Sequence, residues 1–241
     1  DLLATINQYH QVPAALKDIP AGNEYSYLET PVTKVLVAPY DAKQIYMAQI
    51  SNLDKKYDPA IEPIRALYDE YFGGGMNSIV FQEMRETRGL AYSAWAGMLP
   101  PNYLKYPYTI RTQIATQNDK MIDAVNTFND IINNMPESEA AFKLAKEGLI
   151  NRMRTDRIIK SDIIWTYINA QDLGQNVDPR IKLYNDVQTM TLKDIVDFQK
   201  EWVKGRTYVY CILGDKKDLD MNKLKAVGPI EELTQQQIFG Y

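Results

Sequence analysis

Between Asp58 and Leu99 the apolar residues change their spacing, and glycines stand where the chain must turn. Ile61, Ile64, Leu67, Tyr68, Tyr71 and Phe72 recur at steps of three and four, which predicts a helix with one apolar face. Asp58 is a natural N-cap, and Pro59 suits the first helical position, where its missing N–H is not needed. Gly73 fits a left-handed C-terminal stop. A short second helix is expected from about Asn77 to Arg88, closed by Gly89 for the same reason. From Tyr92 the period becomes two: Tyr92, Ala94, Ala96 and Met98 alternate with Ser93, Trp95, Gly97 and Leu99, the pattern of a strand.

Similar alternations run through the rest of the chain. Lys34 to Ala38 and Gln44 to Ser51 read as two strands joined by a turn at Pro39 to Asp41, given their β-branched and aromatic content. Tyr108 to Ala115 is the expected partner of the Tyr92 to Leu99 strand, reached through a loop holding Pro100, Pro101 and Pro107. Asn118 is expected to cap a helix carrying Met121, Ala124, Val125, Phe128, Ile131 and Ile132 on one face, ended by Pro136. Ser138 opens a longer helix with Phe142, Ala145, Leu149 and Met153 aligned, and Ser161 and the Asp178, Pro179 pair begin two more. Thr191 with Asp194 forms a capping-box pattern before a helix running to Trp202. Thr207 to Leu213 is the last expected strand and Asp218 to Lys225 a final short helix. Strands in hairpin-like succession, interrupted by helix pairs, predict an α+β fold: a mostly antiparallel sheet with helices packed on one face. At 241 residues the length suits one large domain. Residues 1–241 are read as that domain, with 1–30, punctuated by Pro13 and Pro20, as a lead-in segment.

The residue inventory excludes several chemistries. A net charge of -4 gives no basic footprint for nucleic acid and no polybasic segment for a membrane surface. No run of about 18 apolar residues is present, so no membrane insertion by an ordinary helix is expected. A catalytic zinc needs three protein ligands, usually with two His one helical turn apart, and this chain has one His, His10, with no second ligand at a suitable spacing. The same count argues against Ser-His-Asp and Cys-His catalysis, because His10 would have to be the base. Cys211, the single cysteine, lies in the strand-like run TYVYCILG and reads as a buried apolar thiol. Gly73 to Gly75 follow a helix rather than a strand, with no Gly-Lys-Ser/Thr, which argues against a phosphate loop. The chain begins at Asp1 without a signal-like segment; it is expected to be a processed product or a piece of something longer, with any targeting signal upstream and the compartment unassigned.

Arg85 and Tyr92 are the leading candidate site. Arg85 falls near the carboxyl end of the short helix and Tyr92 opens the strand past Gly89, so both can project from one edge. A purely structural account is also open, because cations are favoured at helix C-termini and a Tyr at a strand start is common. Arg88 shares that structural account. Gln82, Glu83 and Glu86 flank Arg85, and Glu83 is a candidate for orienting its guanidinium, a solvated carboxylate being the ordinary alternative. Trp95 and the 17 tyrosines suit a peptide-binding lining or plain packing equally well.

The stretch GGGMNSIVFQEMRETRGLAY, Gly73 to Tyr92, resembles a segment of the insulinase/pitrilysin family of zinc metallopeptidases, the inverted zincins, in the half of such enzymes that carries no zinc. The H-x-x-E-H zinc motif of the other half is absent. The helix and strand order and the YVYCILGDKK ending extend the likeness over most of the chain. The resemblance implies a two-layer metallohydrolase-like α+β domain that binds no cofactor itself, with zinc held by a catalytic domain or subunit of the same family. It implies that Arg85 and Tyr92, with six residues between them, bind the backbone of a peptide substrate and polarise the scissile carbonyl from across a chamber. Peptide addition at a sheet edge is a plausible binding mode. Two alternatives stand beside this: a structural or assembly subunit, and a stand-alone peptide-binding module.

Overall fold

The computed structural model describes residues 1–240 apart from 11, 12, 16, 19, 21, 23–26 and 42. Most of those positions fall within the expected lead-in, which at those positions lies outside the described residues. The described part of the lead-in holds a helix α1 (Leu2–Tyr9), capped by the Asp1 carboxylate and contributing no buried residue.

Six strands form one sheet: β1 (Lys34–Pro39), β2 (Ile45–Lys56), β3 (Ser93–Leu99), β4 (Pro107–Thr116), β5 (Val209–Gly214) and β6 (Ile230–Glu232), in the order β3-β4-β2-β5-β1-β6. The pairings β3–β4, β4–β2 and β2–β5 are antiparallel, whereas β5–β1 and β1–β6 are parallel. The expected α+β architecture with a mostly antiparallel sheet is therefore found. The first two strands, however, are not neighbours. β5 lies between them, matching Leu36 to Cys211 on one side and Ala48 to Cys211 on the other. The physical reason is in β5 itself: Val209, Tyr210 and Ile212 are all buried, and a strand apolar on both faces gains most from a central position.

Alternation along β2 and β4 buries Ile45, Met47, Gln49, Ser51 and Leu53 together with Tyr108, Ile110, Thr112 and Ile114, while Tyr46, Arg111 and Gln113 remain exposed on the opposite face. Helices cover the buried face. α2 (Glu62–Phe72) contributes Leu67, Tyr68, Tyr71 and Phe72. After the short α3 (Ile79–Phe81), α4 (Met121–Asn133) lays Ala124, Val125, Phe128 and Ile131 inward, and its Asn129 accepts hydrogen bonds from Gln49 of β2 at 2.8 Å and Tyr210 of β5 at 2.9 Å. α5 (Glu139–Thr155) packs on α2 through Phe142, Ala145 and Leu149. α6 (Ile163–Asp172) and α7 (Pro179–Val187) follow. α8 (Leu192–Phe198) continues as a π-helical turn, Gln199–Val203, whose Trp202 meets Tyr108 edge-on at 6.0 Å. The short α9 (Met221–Val227) and α10 (Gln235–Phe239) complete the described elements.

Several local expectations need correction. The Asp58 carboxylate accepts from the Ala60 N–H in a turn, and α2 starts only at Glu62, with proline in its first turn. Asn118 begins a 3-10 turn, Asn118–Lys120, and its Oδ1 is buried without a hydrogen-bond partner, so it caps nothing. Ser161 lies inside a 3-10 turn, Lys160–Asp162, ahead of α6. Cys211 is half-buried rather than fully buried.

Candidate functional site

Gly73 ends α2, but not in a left-handed conformation: its φ is -144°. The glycine is needed for a different reason. A Cβ there would lie 2.2 Å from the Ala96 carbonyl oxygen and 2.6 Å from the Ala96 nitrogen, so the end of α2 rests directly on the backbone of β3. Just before it, the Asp69 carboxylate accepts the Met98 N–H at 2.8 Å and Arg65 donates to the Met98 carbonyl at 3.0 Å. Glu62 and Asp69 both pair with Arg65, at 3.0 and 2.6 Å. Burial of Asp69, offset in part by Arg65 and the Met98 N–H, raises its pKa from the usual carboxylate range to about 7.

From this anchor the chain turns back. Ser78 caps α3 by accepting from the Phe81 N–H, and Gln82 ties down the turn by donating to the Met76 carbonyl at 2.6 Å. α3 then widens into a π-helical turn, Gln82–Thr87, held inward by the fully buried Met84. π-turns of this kind occur often at functional sites. The corner is pinned: Gly89 adopts a left-handed φ of 57°, as its place after the helix implied. Lys120 donates to the Gly89 carbonyl at 3.0 Å, Thr116 donates to the Leu90 carbonyl at 2.5 Å, and the Met84 carbonyl accepts from Leu90 at 2.8 Å. Tyr92 then joins the sheet one residue ahead of β3, its N–H donating to the Ala115 carbonyl at 3.0 Å.

This geometry brings Arg85 and Tyr92 together. The Arg85 guanidinium carbon lies 5.5 Å from the centre of the Tyr92 ring and 5.0 Å from that of Phe81, so the cation sits against two aromatic rings. Both groups face solvent: the Arg85 side chain is 45% exposed and Tyr92 is 73% exposed. Arg85 pairs with Glu86 at 3.6 Å, whereas Glu83 pairs with Arg88 at 3.5 Å. The π-turn explains this exchange, because its i to i+5 repeat puts residues five apart on one side. Phe81 was not singled out from the sequence, although its i, i+4 spacing to Arg85 was the available signal. Trp95 is half-buried, its ring lying over Gly97 on the open sheet face.

Among the described residues no three His, Cys, Asp or Glu side chains are grouped so as to hold an ion, and His10 is exposed at the end of α1.

The model of the peptidase M16 inactive domain matches residues 16–149, more than half of the chain. The chain belongs to this family. The family resemblance borne by the Gly73 to Tyr92 segment is thereby shown. A relative from Helicobacter pylori described as non-peptidase homolog YmxG is 28% identical over 218 residues, covering 84% of this chain and 48% of that protein. Among solved structures, a peptidase M16 inactive domain from Pseudomonas fluorescens superposes with a TM-score of 0.64 at 16% identity over 82% of this chain and 47% of its own. A protease from Helicobacter pylori gives 0.65 at 11% identity, over 88% and 51%. These two share the fold. The chain spans about half the length of the relatives it matches. Among the described residues no helix is long and apolar enough to cross a membrane.

Proposed function

We propose that this M16 inactive domain is the substrate-binding, non-catalytic part of an insulinase-like zinc peptidase. It helps enclose an extended peptide and holds the scissile carbonyl through Arg85 and Tyr92, with zinc carried by another domain or subunit. The observation behind this reading is that a guanidinium and a phenol meet at one exposed corner fixed by Met84, Gly89 and Thr116. A permanently charged guanidinium supplies directed N–H donors, and the phenol supplies an O–H. Both stabilise negative charge developing on a carbonyl oxygen without being consumed. Phe81 behind the guanidinium limits the conformations Arg85 can adopt, which is the preorganisation such stabilisation needs.

The test is peptide hydrolysis by the full-length parent or its reconstituted complex with the zinc-bearing part, comparing wild type with Arg85→Ala and Tyr92→Phe after confirming that each is folded. A fall in kcat/KM of about tenfold or more, roughly 1.4 kcal/mol of transition-state stabilisation, supports the reading. Unchanged activity in folded variants overturns it. A second reading, a structural subunit without a proteolytic role, is favoured by the name of the Helicobacter pylori relative, a non-peptidase homolog. An assembled complex that requires this chain to form but cleaves no peptide would establish it.

A further inference from the structure

Strand β2 outlasts both of its neighbours. Its pairing with β5 ends at Ile50 and Val209, and its pairing with β4 is regular only to Asn52 and Thr109, resuming at Lys56 and Pro107. Irregularities of this kind terminate pairing and are frequent beside functional sites. Past Ile50 the main chain of β2 is met by a side chain instead of a strand: the Thr30 hydroxyl accepts from the Asn52 N–H at 2.9 Å and donates to the Asn52 carbonyl at 3.5 Å. Asn52 Nδ2 donates to the Leu28 carbonyl at 3.1 Å, and the Thr207 hydroxyl to the Thr30 carbonyl at 2.5 Å. Between this crossing segment, the end of β2 and the β3–β4 connection lies a cleft of about 630 Å³, within the size range of ligand sites.

The polar groups at this end of the sheet are incompletely satisfied. Asn52 Oδ1, at the cleft, and Thr109 Oγ1, opposite it in register, are both buried without a hydrogen-bond partner. The charges are unmatched as well. Arg206 is half-buried, and its Nε donates to the Trp202 carbonyl at 3.0 Å. Neither Arg206 nor Lys56 pairs with a carboxylate among the described residues, and Lys105 brings a third cation to the wall. Glu29 and Asp54 stand at the same cleft but are exposed, so water solvates them. A guanidinium held through Nε keeps the donors of its other two nitrogens for an anion, and a planar carboxylate fits that fork. The two acidic residues repel a doubly charged phosphate about twice as strongly as a carboxylate. Beyond Asn52, β2 has no strand beside it on the β5 side, which favours an anion carried on an extended peptide over a free one.

We propose that this cleft binds the carboxyl end of an extended peptide, with the terminal carboxylate on Arg206 and Lys56 and the peptide main chain alongside β2 past Asn52. Ser93, Ala115 and Tyr46 lie in one row across the sheet, so the Arg85 and Tyr92 corner is at the other end of β2. The six steps from Tyr46 to Asn52 separate the two places by roughly 20 Å at about 3.3 Å per residue. The cleft requires no hydrolysis, and it stands or fails independently of the function proposed above.

The test is calorimetric titration of the protein with an N-acetylated pentapeptide of alternating Ala and Thr that has a free carboxyl end, beside the same peptide ending in a carboxamide and beside inorganic phosphate. Saturable binding of the acid form is expected, at least tenfold weaker for the carboxamide form and at least tenfold weaker to Lys56→Gln and Arg206→Gln. Lys56 is exposed, so Lys56→Gln keeps the comparison open even where loss of the Arg206 bond to Trp202 unfolds the second variant. Hydrogen exchange should slow at Leu53 to Lys56 in the complex. Equal binding of the acid and carboxamide forms overturns the proposal, as does no binding of the acid form at about 1 mM. Phosphate binding as tightly as the peptide would assign the cleft to free anions and overturn it. Protection at Tyr92 and Ser93 in place of Leu53 to Lys56 would put the peptide at the corner and overturn it too.

Discussion

Gly73→Ala tests whether the packing of α2 on β3 supports the corner that carries Arg85 and Tyr92. The added Cβ would lie 2.2 Å from one Ala96 backbone atom, 2.6 Å from a second and 2.8 Å from a third, so no side chain can swing aside to relieve it. Relief requires the end of α2 and β3 to part by about 1 Å, and overpacking of this kind typically costs about 1–3 kcal/mol. The same displacement stretches the Asp69 and Arg65 bonds to Met98, hydrogen bonds to charged groups worth about 1.5–3 kcal/mol each when intact. Against this, replacing glycine by alanine restricts the unfolded chain and returns about 0.4–1 kcal/mol. The expected net loss is about 3 kcal/mol, a fall in Tm of roughly 6–12 °C for a chain of this size. Two other glycines serve as controls. Gly75 has open space around it and no positive φ, so Gly75→Ala should be near neutral, while Gly89, at φ 57° in open space, should lose about 1–2 kcal/mol from backbone conformation alone. Urea denaturation of the three variants should rank Gly73→Ala as most damaging, then Gly89→Ala, then Gly75→Ala. Equal stability of Gly73→Ala and Gly75→Ala would refute the close approach and the reasoning built on it.

Other expectations are narrower. Because burial raises the Asp69 pKa to about 7, the native state holds this proton more tightly than the unfolded chain does; its contribution to stability is complete below about pH 4 and is lost as pH rises through 7. Asp69→Asn should therefore gain stability relative to wild type between about pH 4 and pH 7.5, and a difference that stays constant with pH in urea titrations would contradict this. Ser138→Ala removes the side chain that accepts from the Ala141 N–H at 3.2 Å and should cost about 1 kcal/mol in the same assay; a loss below about 0.3 kcal/mol would show that the cap is not made. Phe81→Ala removes one of the two rings against Arg85; under the proposed function it should lower kcat/KM of peptide hydrolysis by the reconstituted assembly severalfold while leaving KM nearly unchanged, if the ring positions the guanidinium for the transition state.

Features set by adjacent residues were legible in the sequence, and features set by distant ones were not. Ser138, Asp178 and the Thr191, Asp194 box do cap α5, α7 and α8, because capping depends on residues two or three positions apart. Gly89 likewise announced its left-handed turn. The position of β5 between β1 and β2 was hidden, since sheet order is decided by which strand gains most from two neighbours, and that depends on residues more than 150 positions apart. Gly73 was placed correctly at the end of a helix but for the wrong reason: its requirement comes from Ala96 across space. At the candidate site the Arg85 and Tyr92 spacing was legible but the π-turn was not, and so neither was the pairing of Glu83 with Arg88 or the contact of Arg85 with Phe81. β6 and α10 are too short for a periodic signal.

The edge position of β3 bears on how a peptide would be held in the proposed function. An edge strand ordinarily offers its outward N–H and C=O groups to an added strand. Here both outward groups of Met98 are already bound by Asp69 and Arg65, and Gly73 is pressed against the backbone of Ala96. A peptide extending along β3 from Ala96 onward would have to displace α2, losing a partly buried ion pair and its hydrogen bonds. What this edge leaves open is its Tyr92 end, where Tyr92 and Ser93 are exposed and Arg85 stands alongside. Under the function proposed above, recognition at this corner would fall to the guanidinium and the phenol rather than to a long main-chain ladder. A pair of this kind holds a carbonyl whatever side chains flank it, which suits a site that must accept varied peptide sequences.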